Sequence, residues 1–310
     1  MKREVKAFAP ASVSNVACGF DIMGFALDQP GDVVTVRFAD EPGVRIAGIR
    51  GMGAGLPLDP SKNTAGAPVV ALAKTSAMKR GIEIDIEKGV RAGSGIGSSA
   101  ASAVAAAVAC NELLGLRLTK EELLPFAMEG EKVASGAEHA DNLAPSLWGG
   151  FVLVRGYHPT DIVHIAVPDQ LWCTVIHPEI EIRTREARKL LPQNVPLNDV
   201  IAQTGNAAGL VAGLLKKDYD LIGRSLQDVL AEPARKHTIQ GYDAMKTAAV
   251  QSGALGCNIA GSGPSVFALS KGEEVARAVE RALSEVLKSL KCPYKTYISR
   301  IALSGARIVS

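Results

Sequence analysis

The sequence predicts an α+β protein of two domains, 1–160 and 161–310, and three features carry that prediction. Short strands precede the helices of the first half. A Gly- and Ser-rich loop at 93–99 joins a strand to a small-residue helix. Late in the chain a helical block is followed by strand, strand, helix and strand, an order that fits an α+β unit rather than alternating βα repeats.

In chain order, Val5–Ala9 reads as a strand stopped by Pro10. Asp32–Phe38 and Val44–Ile49 are the next strands, with Glu41-Pro42-Gly43 as the turn between them. A helix is expected over Thr64–Arg80, closed by Gly81. Ile82–Ile86 alternates apolar and acidic residues, as a half-exposed strand does. Ser98–Leu114 is a helix ended by Gly115, and Thr119-Lys-Glu-Glu122 opens another with a capping box. Phe151–Val154 and Trp172–Ile176 are strands on either side of a soft boundary near 155–165. Helices fill 184–252. Cys257–Ala260, Val266–Leu269, an amphipathic helix over Glu273–Leu290 and a strand at Thr296–Leu303 then form a ferredoxin-like second domain.

Bulk properties exclude several classes. Hydrophobic residues make up 47% and charged residues 21%, with a net charge of +2, which is ordinary for a globular protein. The spread, balanced charge argues against a nucleic-acid or membrane partner. The five cysteines are widely separated, without a C-x-x-C pair, and suit a reduced, cytoplasmic chain. The apolar run Ala100–Cys110 is too short to span a bilayer, and the N-terminus carries no signal-peptide core.

The informative stretch is Arg91-Ala-Gly-Ser-Gly-Ile-Gly-Ser-Ser-Ala-Ala101. Glycines at alternate positions permit left-handed turns and close backbone approach to a ligand. A helix starting at Ser98 offers free N–H groups and a positive dipole end to phosphate. Serine hydroxyls can cap the helix or ligate magnesium. The spacing is not G-x-G-x-x-G, no Gly-Lys precedes Ser or Thr, and protein-kinase signatures are absent, so Rossmann, Walker and protein-kinase sites are excluded. By itself the loop is equally a capped glycine turn. His139, Asp141 and Asn142 likewise form either a polar functional cluster or an Asx-capped turn.

The loop resembles the second motif of the GHMP kinases, with Arg91 where that family has a proline. Pro10–Asp21 resembles the first motif and Gly261-Ser-Gly-Pro-Ser265 the third, so the resemblance covers nearly the whole chain. Glu131–Gly150, with His139, Asp141 and Asn142, is similar to the H-x-D-N block of the homoserine-phosphorylating branch. The implied fold is the two-domain GHMP kinase fold, with an N-terminal domain like ribosomal protein S5 domain 2 and a ferredoxin-like C-terminal domain. The implied reaction is transfer from ATP, with Mg²⁺, to L-homoserine, within threonine biosynthesis.

The resemblance also assigns residues. Gly93, Ser94, Gly95, Ile96, Gly97, Ser98 and Ser99, closed over by Gly261 and Gly263, would bind the nucleotide, with Ser98 capping the helix. Asn63 would contact adenine and Lys88 line the nucleotide pocket. Ser99 and Glu131 would hold magnesium. Asp21, Asp141, His139 and Asn15 would serve the amino and hydroxyl end of homoserine, and Thr184, Arg188 and Arg235 its carboxylate. Asn142 stands where a mevalonate kinase carries a catalytic carboxylate, which implies direct attack without a dedicated base, Asp21 and Asn142 orienting the hydroxyl. The other readings are a GHMP kinase for mevalonate, shikimate or a sugar, and a nucleotide-binding sensor without turnover. A homodimer is the assembly considered.

Overall fold

The structure is a computed structural model that describes residues 3–76, 80–136, 139–180, 182 and 184–310. The chain begins with β1 (Glu4–Ser14), β2 (Met23–Ala39), β3 (Val44–Gly51), α1 (Gly66–Thr75) and β4 (Gly81–Lys88). Next come α2 (Ser98–Leu114), α3 (Lys120–Ser135), α4 (Leu143–Trp148) and the hairpin of β5 (Phe151–Tyr157) and β6 (Thr160–Ile165). β7 (Leu171–Pro178) leads into α5 (Thr184–Lys189), α6 (Leu197–Lys216), α7 (Tyr219–Ser225), α8 (Ala231–Arg235) and α9 (Tyr242–Gln251). β8 (Gly256–Ile259), β9 (Val266–Lys271), α10 (Glu273–Ser289), β10 (Tyr294–Arg300) and β11 (Arg307–Val309) complete it.

The first sheet runs β11-β1-β2-β4-β3, with the β5–β6 hairpin attached to the start of β2. The second runs β10-β7-β9-β8 and is antiparallel throughout. Its first and third strands are central, which is the ferredoxin-like arrangement. The division at residue 160 falls in the β5–β6 hairpin, because β6 pairs with β5, and β11 returns to β1. The first sheet is therefore built from both ends of the chain.

Sequence logic accounts for most elements. In β4, Ile82, Ile84 and Ile86 face the core while Glu83 and Asp85 face outward and pair with Arg37. α2 ends at Gly115, left-handed at φ 65°, and Thr119 and Glu122 form both bonds of the predicted capping box on α3. Two expectations are corrected. Pro10 does not stop β1, because its missing N–H falls at a bulge where the β1–β2 register shifts between Pro10 and Ser12. α1 ends at Thr75, since Ser76 is already extended, and Gly81 opens β4. A Cβ at Gly81 would collide with the Glu41 carbonyl, so close packing explains that glycine. The predicted helix residues 77–79 lie outside the described residues.

Burial is divided among three cores. Under α2, alanines such as Ala100, Ala103 and Ala107 let the helix lie close to Val34, Val36 and Ile84. A second core joins the two sheets through Phe25, Phe151 and Phe267, with ring centroids 5.2 Å and 6.0 Å from Phe25. The third lies between the second sheet and helices α9 and α10. No helix among the described residues is long and apolar enough to cross a membrane.

Candidate active site

A cavity of about 520 Å³ lies between the two halves, lined on one side by the 93–99 loop, except Ile96, whose side chain is buried in the second core instead, and on the other by Asp21, His139, Asp141, Arg188 and Arg235. The loop leaves β4 and enters α2 through Gly97, left-handed at φ 67° and without any side-chain cap on the helix. Side chains are excluded here by space as well as by φ. A Cβ on Gly97 would strike Ser12 Oγ and come within 3.0 Å of Asn142 Oδ1, and one on Gly95 would sit 2.7 Å from the carbonyls of Ala260 and Gly263. The third motif is thus packed directly on the second. Gly261 lines the cavity, and Gly263 packs behind the loop.

The helix is left open at its positive end because Ser98 does not cap it. Ser98 Oγ turns back to donate to the Val90 carbonyl at 2.9 Å. That corrects the expected capping role and leaves the first α2 amides to a ligand. Lys88 borders the cavity, but its ammonium is buried beneath the loop. It pairs with Asp32 and donates to the Ser98 carbonyl at 2.9 Å and to Ser102 Oγ at 2.8 Å. Asn63 does not line the cavity. Its side chain donates to the Pro57 carbonyl and accepts from the Ala65 amide, while Lys62 and Thr64 form the wall beside it.

Two observations test whether phosphate and magnesium fit. Ser94 Oγ is buried, has no hydrogen-bond partner among the described residues and belongs to a residue that lines the cavity, as a hydroxyl awaiting an acceptor would. Ser99 Oγ lies 3.0 Å from Glu131 Oε2 at the loop's end. Among the described residues no group of three His, Cys, Asp or Glu side chains could hold a metal. This sparse pair of hard oxygens suits magnesium, which keeps waters and shares itself with phosphates.

On the opposite wall, Asn15, Val16 and Ala17 are left-handed in succession, with φ of 68°, 40° and 58°, and Asp21 follows at 60°. The turn is tied by Asn15, which accepts from the Asp21 amide at 2.9 Å and donates to the Gly261 carbonyl at 2.8 Å. Tyr157 fixes the Asp21 carbonyl at 2.8 Å. Arg188 reaches both Asp21 oxygens, at 2.8 and 2.9 Å, and lies 3.0 Å from His139 Nε2. Burial, with Arg188 adding to it, holds the His139 pKa down against Asp21, so Nε2 is an acceptor. Arg188 and Arg235 both lie against the Phe20 ring. Arg235 is buried and donates to the carbonyls of Ala187 and Gly261, and Thr184 Oγ1 is 3.3 Å from Ser262 Oγ.

Asp141 is buried. Burial first, then the charges of Asp21 and Glu131, push its carboxyl up to about 7. Beside it, Asn142 accepts from Ser12 Oγ and donates to Ser14 Oγ, each at 2.9 Å. One amide hydrogen and one carbonyl lone pair remain for a ligand. Phe20, Tyr157, Ser12 and Ser14 were not singled out from sequence. The serines had a signal, alternate positions on a strand within the first motif, whereas Tyr157 had none.

Comparison with known proteins matches residues 63–150 to the GHMP kinases N terminal domain and residues 210–289 to the GHMP kinases C terminal domain. A homoserine kinase of Chlorobium phaeobacteroides is 46% identical over 99% of this chain and 100% of its own. The chain belongs to the homoserine-kinase branch of the GHMP kinases. A homoserine kinase of Xylella fastidiosa is 41% identical over 99% of this chain and 94% of its own. The crystal structure of homoserine kinase from Cytophaga hutchinsonii superposes with a TM-score of 0.96 at 49% identity, covering 100% and 98% of the two chains. The crystal structure of L. major mevalonate kinase shares the fold alone, with a TM-score of 0.74 at 18% identity over 97% and 98% of the two chains. The two-domain GHMP kinase fold expected from the motifs is the fold observed, and membership makes this chain an ATP-using kinase that phosphorylates an alcohol.

Proposed function

We propose that this GHMP kinase transfers the γ-phosphate of ATP to the side-chain hydroxyl of L-homoserine, giving O-phospho-L-homoserine. The observation that carries the reading is one cavity holding anionic anchors (Asp21, Asp141) and cationic anchors (Arg188, Arg235) beside the phosphate loop. That pairing matches a zwitterion, whereas mevalonate brings no ammonium group to the anionic anchors and a neutral sugar brings no charge to either set. Arg188 and Asp21 satisfy each other, so the substrate's two charges exchange with an existing ion pair rather than enter an uncompensated one.

The chemistry follows from position. The loop amides, the α2 N-terminus and Ser94 Oγ would take phosphate oxygens, and Ser99 and Glu131 would hold magnesium, which when bound neutralises phosphate charge. Ser12 and Ser14 hold Asn142 so that its free amide hydrogen and lone pair orient the acceptor hydroxyl. A neutral amide cannot take the proton. The hydroxyl oxygen therefore attacks the γ-phosphorus directly, the bond to the ADP oxygen breaks, and the proton passes to a transferred phosphoryl oxygen. Ionised Asp141 receives the ammonium group, while Arg188 and Arg235 receive the carboxylate.

Acceptor analogues test this reading. 4-Hydroxybutyrate lacks the ammonium group and 3-aminopropan-1-ol lacks the carboxylate. Each is expected to lose roughly tenfold to a hundredfold or more in kcat/KM, the worth of one charge-assisted contact. Equal turnover of either analogue and homoserine contradicts the zwitterion site.

A further inference from the structure

His177, at the end of β7, is 2% exposed and lies off the cavity wall, behind the phosphate loop. Its Nδ1 is 3.1 Å from Ser265 Oγ. Ser265 Oγ in turn donates to the Ser94 carbonyl at 2.6 Å, and the Ser265 amide donates to the same oxygen at 3.3 Å. Ser265 spends its one hydroxyl proton on Ser94, so the imidazole must carry the proton of the other bond, with Nδ1–H donating to Ser265 Oγ. Nε2 is then a bare lone pair, and it is buried without a partner among the described residues. Burial, helped by Arg91 and Lys295 and opposed by Glu179, brings the His177 pKa down to about 4, so the ring stays neutral.

The Ser94–Gly95 peptide is trans, and in a planar trans peptide the C=O and the following N–H point in opposite directions. Drawing the Ser94 carbonyl back onto Ser265 therefore turns the Gly95 N–H toward the cavity, which Gly95 lines at φ 84° and Ser265 does not reach. We infer that His177 is a positioning residue for phosphoryl transfer: the relay from His177 through Ser265 to Ser94 fixes this peptide so that the Gly95 N–H is presented to the nucleotide phosphates. A donor held in place before the ligand arrives needs no reorganisation when charge develops. The inference rests on the ATP-site reading above.

The test is calorimetric ADP binding to the intact enzyme, with the homoserine KM measured in parallel. Ser265→Ala and His177→Leu are each expected to weaken ADP roughly threefold to tenfold, the worth of one net hydrogen bond. The double variant is expected to be no weaker than the single ones, because both break one relay. His177→Asn, whose amide N–H can stand in for Nδ1–H, is expected to bind ADP as the unmodified enzyme does. The homoserine KM should not move in any of them. Additive losses, unchanged ADP affinity in Ser265→Ala, or equal losses for ADP and homoserine overturn the relay. If His177→Leu does not fold, Ser265→Ala and His177→Asn decide. An unmodified enzyme that binds no ADP overturns the nucleotide site and the relay together.

Discussion

Asp141 is the residue whose environment is most at odds with its charge. A carboxyl titrating near 7 is raised above its unfolded value, so its contribution to ligand-free stability is present below about pH 4 and is lost as pH rises through about 7. In the proposed role, an ammonium group beside it would reverse that penalty. Homoserine KM is therefore expected to rise as pH falls below about 7, and Asp141→Asn should raise it roughly tenfold to a hundredfold while removing that pH dependence. Steady-state kinetics of both enzymes from pH 5.5 to 8.5 check this. A variant with unchanged KM contradicts the assignment. At this scale the sequence spoke through motifs. Asn142, Asp141 and His139 stand in one short block and do converge on the cavity, whereas the adenine contact expected of Asn63 came from the family resemblance alone. The two polar ends of Asn63 are satisfied by Pro57 and Ala65, a local bond pattern that sequence spacing does not reveal.

The phosphate loop is the element on which both halves of the chain converge. β4 delivers it, α2 receives it, and the Gly261–Ser265 turn closes behind it. Gly97→Ala would drive a methyl into Ser12 and toward Asn142, displacing the residues proposed to orient the acceptor. It is expected to lower kcat/KM by about a hundredfold or more, since displacements near 1 Å cost that much. Beneath the loop, Lys88 and Asp32 form a buried ion pair whose remaining bonds reach Ser102, the Ser98 carbonyl and the amides of Gly89 and Val90. Lys88→Met leaves Asp32 buried without its cation and should cost about 3–5 kcal/mol in denaturant unfolding. A loss below about 1 kcal/mol would show that the pair does not anchor the loop. The α2 limits were legible because Gly97 and Gly115 bracket an alanine run. The role of Lys88 was not, because a strand-end lysine reads as exposed until Asp32, distant in sequence, is placed beside it.

Across the whole molecule, the two sheets share the Phe25–Phe151–Phe267 core. The halves should therefore unfold together. Phe267, fully buried, is expected to cost about 3–5 kcal/mol when changed to Ala, with one transition seen by both circular dichroism and tryptophan fluorescence. Two separated transitions would mean independent domains. The ferredoxin-like half was readable from its strand–strand–helix–strand order. The return of β11 to β1 was not, since a three-residue strand without a buried residue carries no periodic signal and its partner is at the other end of the chain. The proposed function is a property of this largest scale, because the proposed acceptor anchors come from α5, α8, the turn after β1 and the segment before α4, while the proposed donor site comes from the loop. The most direct measurement offers the enzyme ATP, magnesium and an equimolar mixture of L-homoserine, mevalonate, shikimate and galactose, and follows the products by phosphorus-31 NMR. Phosphohomoserine as the dominant phosphomonoester is the predicted result. A dominant phosphate ester of any other acceptor, or ATP consumption without one, would contradict the account.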